Sequence, residues 1–162
     1  MINYFEIFHL NPAFNIDIAL LESKYHDLQR NFHPDLNNIN DLEKSIHINS
    51  GYKILSDDFL RASHLLQLKN INIEDEDCAI KPDKSMLIDI IALQEKIFDP
   101  NFINNQQSIK ITKKNINDEI LKLLQEFEDL YNSSDFLLAT QKIIKIKYLK
   151  KTLNDLKKIT KI

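Results

Sequence analysis

The sequence predicts an all-α protein, and two observations indicate it. Apolar residues recur at spacings of three and four along almost the whole chain of 162 residues, as they do on one face of an amphipathic helix. The chain has one glycine and four prolines, too few for the many tight turns of an all-β protein. The prolines, at positions 12, 34, 82 and 100, divide the helical pattern into segments.

Three helical segments are predicted in the first 70 residues, over residues 3–9, 17–32 and 41–68. The last has a possible break at Ser56 to Asp58. Two apolar stripes with spacings of 4, 3 and 4 support the longer segments: Leu21, Tyr25, Leu28 and Phe32, then Ile48, Tyr52, Leu55 and Phe59. Asp17 precedes the second segment as an N-cap or first-turn residue, and Ser56 or Asp57 would cap the continuation after the break. Pro34 ends the second helix, because proline disfavours helical geometry in the residue before it.

The second half has a similar helical organisation. Residues 71–83 are polar and acidic, and we interpret them as a linker between two domains. Three helices are predicted after it, over residues 84–98, 117–131 and from a turn at 132–135 to about 159. A short loop between two long helices implies an antiparallel pair. The predicted organisation is therefore a domain at 1–70, a linker at 71–83 and a three-helix domain at 84–162.

Composition and charge exclude several classes of protein. The balance of 43% hydrophobic and 28% charged residues is that of a globular chain. The longest uncharged runs have 10 residues, whereas a membrane span needs about 20 apolar ones. Cys78 is the only cysteine, which excludes an internal disulfide and a cysteine metal cluster. No basic residue precedes Lys24, so we expect neither a secretory signal nor an Arg-rich transit peptide.

Charge is unevenly distributed along the chain. Residues 100–162 carry 12 basic and 7 acidic side chains, a bias that can indicate a nucleic-acid or membrane surface. Apolar residues separate these lysines, so we interpret them as a solvated helix face and expect neither partner. The acidic run at 74–77 lacks the glycine and the distal glutamate of a calcium loop, so we expect no metal site there.

A His-Pro-Asp tripeptide, His33-Pro34-Asp35, directly follows the amphipathic helix LLESKYHDLQRNF. It could be a catalytic dyad, but nothing nearby supplies an aimed nucleophile. The five histidines could bind a metal, but none forms an i, i+4 pair on one helix. The remaining interpretations are a loop that contacts a partner and a helix end with no partner.

The predicted helix at 84–98 carries two apolar stripes, and a small bundle needs only one. The first is Met86, Ile90, Leu93 and Ile97; the second, about 100° around the helix, is Leu87, Ile91 and Phe98, flanked by Ile88. The last helix shows a similar surplus, with Leu137, Ile144 and Tyr148 opposite its main face. Surplus apolar stripes mark a partner surface, unless they pack on the first domain or on a second copy of the chain.

The chain resembles two known families, one contained in the other. NYFEIFHLNP, a helix ending in Phe32, the HPD tripeptide and a helix containing INSGYKILSDD together resemble a J-domain, the module that activates DnaK-type chaperone ATPases. FLRASHLLQLKN, the acidic linker and MLIDIIALQEKIFD extend the resemblance to HscB, the J-domain co-chaperone of iron–sulfur cluster assembly. The implied fold is a J-domain, an antiparallel helix hairpin with an HPD loop, followed by a three-helix bundle.

The resemblance implies two sets of contact residues and no catalytic, cofactor or metal site. His33, Pro34, Asp35 and Arg30 match the surface that docks an HscA/DnaK-type chaperone ATPase. Leu87, Ile88, Ile91, Glu95, Asp99 and Tyr148 match the surface that holds the IscU-type iron–sulfur scaffold protein. The chain has Ala92 where relatives often have a further acid, and tyrosine at 148 where they often have phenylalanine. It also lacks the strongly basic second helix of many J-domains.

The expected function is therefore that of a non-enzymatic co-chaperone that delivers the scaffold to the chaperone in a bacterial cytoplasm, with the mitochondrial matrix as the second candidate location. Two alternatives stay open on the residues alone. The chain could be a J-domain protein for a different client, or a helical adaptor in which the HPD tripeptide is incidental.

Overall fold

A computed structural model describes residues 2–31, 39–75, 78 and 80–159, although not the side chains of 39–41. All regular structure in these residues is helical, which confirms the predicted class. The helices are α1 Tyr4–Ile7, α2 Ile18–Asn31, α3 Ile39–Ser56, α4 Asp58–Gln67, α5 Lys84–Phe98, α6 Pro100–Ile103, α7 Gln106–Asn132 and α8 Phe136–Ile159. They form two compact units, residues 1–72 and residues 73–162.

The first unit is built on an antiparallel pair formed by α2 and α3. The rings of Tyr25 and Tyr52 stack with centroids 4.1 Å apart. Asn49 accepts hydrogen bonds from the Tyr25 hydroxyl at 3.0 Å and from the Gln29 amide at 3.2 Å. Leu21 is fully buried at the other end of the predicted stripe. Apolar and polar contacts therefore fix the register of the two helices.

Aspartate caps begin two helices of this unit, as the sequence predicted. The Leu20 N–H donates to the Asp17 carboxylate at 3.0 Å, and the Leu60 N–H donates to the Asp57 carboxylate at 2.9 Å. Asp57 thus separates α3 from α4, and the predicted break is confirmed. An N-cap side chain satisfies an N–H group that has no partner within the helix, so each cap stabilises its helix start.

Arg61 is a buried arginine that holds the corner between α3 and α4. Its guanidinium donates to the backbone oxygens of Phe14 and Leu55 at 2.7 and 2.6 Å, and to Asp58 at 2.5 Å. Its Cζ also lies 5.1 Å from the centroid of the Phe14 ring. Because all these partners are within one unit, Arg61 ties the α1–α2 connection to this corner.

The second unit is a bundle of three long helices, with the short α6 between α5 and α7. Its core includes Ile90, Ile97, Phe127, Ile143 and Leu156, all less than 5% exposed. Lys142 and Lys145 of α8 pair with glutamates of α7, Glu126 at 2.6 Å and Glu119 at 2.8 Å. The predicted bundle is confirmed.

Helix α7 begins 11 residues before its predicted start at 117. Asn105 caps it by accepting the Ser108 N–H at 2.9 Å, and Ile109, Thr112 and Ile116 continue its buried face. Thr112 occupies one of these buried positions, and a threonine interrupts the apolar pattern from which the start of the helix is predicted. The sequence likewise does not predict the four-residue α6, because Pro100 indicates only the end of α5.

The segment predicted as a linker is divided between the two units, with the boundary after Asn72. Its later part contacts α8. The Lys147 ammonium lies 2.7 Å from the Glu74 carboxylate, and the Gln141 amide donates to the Lys81 backbone oxygen at 2.5 Å. The described residues from Ile73 onward therefore belong structurally to the bundle.

Candidate functional site

The end of α2 carries Arg30, the first of the residues assigned to chaperone docking. Arg30 lies in the last turn of α2, and its side chain is 80% exposed. Its guanidinium is 3.7 Å from the Asp27 carboxylate, a surface pair of the kind that contributes little stability. The guanidinium is thus available to another carboxylate without a large desolvation cost.

His33, Pro34 and Asp35 lie outside the described residues. The helix that precedes them, α2, is described. The α2–α3 pair described above holds the end of α2, and the Lys24 ammonium donates to the His9 backbone oxygen at 2.9 Å. Of the two basic side chains in α2, Lys24 therefore makes an internal contact and Arg30 faces solvent.

The two stripes of α5 have different environments. Met86, Ile90 and Ile97 of the first stripe are buried at 7%, 4% and 0% exposure. On the second side, Ile88 and Ile91 are 67% and 54% exposed, and Leu87 is half-buried. The surplus apolar side chains of α5 therefore remain at the surface of the bundle.

Two acidic residues of the predicted set accompany this surface. Glu95 and Asp99 are both exposed. The Asp99 carboxylate also caps α6, accepting the N–H of Asn101 at 2.7 Å and of Phe102 at 3.4 Å. Asp99 therefore has a structural contact in addition to the binding role that the resemblance implies.

Tyr148 of α8 is half-buried and lies beside the segment that precedes α5. With Ile144 it lines a cavity of about 160 Å³ that Ile73, Ile80 and Pro82 also line. Ile144 is only 5% exposed, so the second stripe of α8 is exposed chiefly at Leu137, which is 58% exposed. The second stripe of α8 is thus largely covered within its own unit.

Helical phase turns the exposed side of α5 away from α7. Asp89 of α5 and Leu149 of α8 line a groove that α7 closes. Ile91 lies about 160° around α5 from Asp89, so it is on the side of α5 that α7 leaves uncovered. Tyr148 instead faces the segment that precedes α5.

Phe98 belongs to the second stripe of α5 but not to the predicted contact residues. It is 56% exposed, although it follows the fully buried Ile97. Its spacing of seven from Ile91 is the sequence signal that could have included it. Within the described parts of the chain, no cluster of three or more His, Cys, Asp or Glu side chains could hold a metal ion, and no helix is long and apolar enough to span a membrane.

Comparison with known proteins gives consistent results for sequence and structure. A family model described as the HSCB C-terminal oligomerisation domain matches residues 82–157. The co-chaperone protein HscB homolog of Shewanella sp. (strain W3-18-1) is 32% identical over 168 residues, covering 97% of this chain and 96% of the relative.

Solved structures show the same fold. Chaperone HscB from Vibrio cholerae has a TM-score of 0.81 at 24% identity, covering 99% of this chain and 98% of that one. Human co-chaperone protein HscB has a TM-score of 0.85 at 23% identity, covering 97% and 81%. The class of protein follows from the sequence relative together with this fold: the chain is a J-domain co-chaperone. The extent of the sequence match then shows the particular group: the chain belongs to the HscB family of co-chaperones.

Proposed function

We propose that this co-chaperone stimulates the ATPase of an HscA/DnaK-type chaperone and delivers an IscU-type iron–sulfur scaffold protein to it. Membership of the HscB family supports both partners. The observation that carries the client assignment is the exposure of Ile88 and Ile91 on α5, a helix whose other stripe is buried in the bundle. An exposed apolar stripe of this kind is typical of a protein–protein contact.

The chaperone would be engaged at the end of α2. Pro34 restricts the backbone between His33 and Asp35, and Asp35 supplies an anion for a cation on the ATPase. Arg30 supplies a cation one turn earlier, and its exposure supports this role. Complementary charges of this type set the rate and register of docking more than the affinity. The co-chaperone shifts the chaperone toward a state that hydrolyses ATP faster, and the hydrolytic groups belong to the chaperone.

The scaffold would be held on the exposed side of α5, beside Tyr148 of α8. Leu87, Ile88 and Ile91 provide the apolar contact, and Tyr148 adds a ring from α8. Glu95 and Asp99 provide carboxylates at its edge, which favour a client with basic side chains around an apolar centre. A delivery function requires both surfaces on one chain, because the client must reach the chaperone as its ATPase is stimulated.

In the full chain, one substitution should remove the chaperone contact and another should remove the scaffold contact. His33→Gln should abolish stimulation of steady-state ATP turnover and leave scaffold binding unchanged. Ile91→Ala should raise the dissociation constant for the scaffold about tenfold or more and leave scaffold-independent stimulation unchanged, since loss of a central apolar anchor costs about 1.4 kcal/mol or more. Leu121→Ala is the matched control, because Leu121 is an exposed apolar residue of α7, at 64% exposure.

Each outcome distinguishes between the alternatives. Stimulation by the wild type without any binding of the scaffold would indicate a J-domain co-chaperone for a different client. Wild-type protein that fails to stimulate a chaperone shown to be active would overturn the ATPase role and leave a helical adaptor.

A further inference from the structure

Phe98 extends the exposed apolar side of α5 beyond the residues assigned to the scaffold. Its ring is 56% exposed at the last residue of the helix, directly after Ile97, which is fully buried. The burial of Ile97 shows that the end of α5 is packed on the bundle. The exposure of Phe98 therefore results from its direction around the helix and not from a loose helix end.

The position of Phe98 continues one stripe. Leu87, Ile91 and Phe98 lie within about 40° of one another around α5, because their spacings are four and seven residues. From Leu87 to Phe98 the helix rises about 16 Å, so the stripe is long enough to seat a partner helix or strand edge. Glu95 and Asp99, both exposed, flank Phe98 on the chain.

The junction with α6 fixes the place from which the ring projects. Asp99 is both the C-cap of α5 and the N-cap of α6, and Pro100 begins α6. Phe102 of α6 is buried at 8% exposure, and the Lys96 ammonium lies 5.6 Å from the centroid of its ring. The backbone on both sides of Phe98 is thus held by capping and packing, which lowers the entropy lost when the ring is bound.

We propose that Phe98 is a further anchor of the client surface and determines which scaffold the chain accepts. The inference rests on the proposed function, since it assigns Phe98 to the same partner. The partner would present an apolar socket for the ring, with basic side chains facing Glu95 and Asp99. A scaffold with a charged group at the socket position would be rejected, because the ring would leave that charge desolvated and without a partner.

The test is a calorimetric titration of the full chain with its cognate IscU-type scaffold in the cluster-free form. Phe98→Ala should raise the dissociation constant about tenfold, the effect expected for loss of a well-packed aromatic anchor. Phe98→Leu should recover most of the affinity, since it keeps an apolar side chain. Leu121→Ala, at an exposed apolar position of α7, should have no effect.

Salt dependence distinguishes an apolar anchor from a general disturbance of the acidic edge. The factor by which Phe98→Ala raises the dissociation constant should be the same at low and high salt, because apolar burial is not screened. The factor by which Glu95→Gln raises the dissociation constant should become smaller as the salt concentration rises. Equal salt dependence of the two variants would overturn the assignment of Phe98 as an apolar anchor.

The failure of this inference can be told from the failure of the proposed function. Wild-type binding that is weakened by Ile91→Ala and unchanged by Phe98→Ala would overturn the role of Phe98 and leave the client assignment in place. No binding of the scaffold by the wild type would overturn both. Circular dichroism of each variant checks that the fold is intact, and Phe98→Leu provides the informative comparison if Phe98→Ala is unfolded.

Discussion

His64 is a buried histidine that acts as a hydrogen-bond acceptor. Its Nε2 accepts the Tyr4 N–H at 3.2 Å, and its ring stacks on Phe5 with centroids 5.8 Å apart. A nitrogen that accepts a hydrogen bond carries no proton, so the geometry requires the neutral ring. Burial lowers the pKa of His64, and a hydrogen bond with Gln67 partly opposes that effect.

The lowered pKa of His64 predicts acid-sensitive stability. The unfolded chain takes up a proton near the ordinary histidine pKa of about 6.5, whereas the folded chain does so only at lower pH. The neutral His64 ring therefore contributes fully to the free energy of unfolding above about pH 6.5, and this contribution is lost as the pH falls toward the pKa of His64 in the folded chain. His64→Gln, which cannot titrate, should flatten the loss of stability measured by urea unfolding between about pH 7 and pH 5. Identical losses in the variant and the wild type would contradict this account.

Gly51 is the only glycine, and it lies inside α3 where α1 packs. A Cβ at this position would be 2.9 Å from Tyr4 Cδ1 and 2.9 Å from Phe8 Cε2. Helix propensity alone predicts that Gly51→Ala stabilises α3 by about 1 kcal/mol. Overpacking costs about 1–3 kcal/mol, so we expect the substitution to lower the free energy of unfolding. Lys53→Ala, at an exposed position of α3, is the control, and a gain of stability in Gly51→Ala would refute the packing argument.

At the scale of elements, Asp99 joins two helices and also belongs to the proposed client surface. Asparagine caps helices as well as aspartate does, whereas alanine costs about 1 kcal/mol at a cap. Asp99→Asn should therefore keep the thermal stability of the wild type, and Asp99→Ala should lower it. If the charge contacts the scaffold, both variants should weaken binding equally at low salt. Weaker binding by Asp99→Ala alone would assign the effect to the helix junction.

The bounds of a helix were predictable where residues at its own ends mark them. The bounds of α5 at Lys84 and Phe98 agree with the prediction, because an aspartate cap and a proline mark its two ends. The first three turns of α7 were missed, since Thr112 occupies a core position there and a polar residue breaks the apolar pattern. A buried threonine is recognised only when the neighbouring helix is known.

The candidate site was predictable to a different extent on each helix. Two stripes on α5 were visible in the sequence, and the exposure of Ile88 and Ile91 agrees with the surplus that they indicated. The burial of Ile144 on α8 was not visible, because it depends on the path of the segment that begins at Ile73. The roles of His33, Pro34 and Asp35 come from family resemblance and stay predictions.

At the scale of the whole molecule, the two proposed surfaces belong to different compact units. The chaperone-docking residues are in the unit formed by residues 1–72, and the client residues are in the unit formed by residues 73–162. Single substitutions can therefore remove one contact without disturbing the packing of the other unit. Delivery would then appear as coupling: the scaffold increases ATPase stimulation only when both surfaces are intact.

The most direct test of delivery is the rate of ATP turnover by the cognate HscA-type chaperone with co-chaperone alone, scaffold alone and both together. We predict that stimulation by both exceeds the product of their separate effects. The excess should disappear in Ile91→Ala, and all stimulation by the co-chaperone should disappear in His33→Gln. Stimulation by both that equals the product of the separate effects, and is the same for Ile91→Ala and the wild type, would contradict delivery.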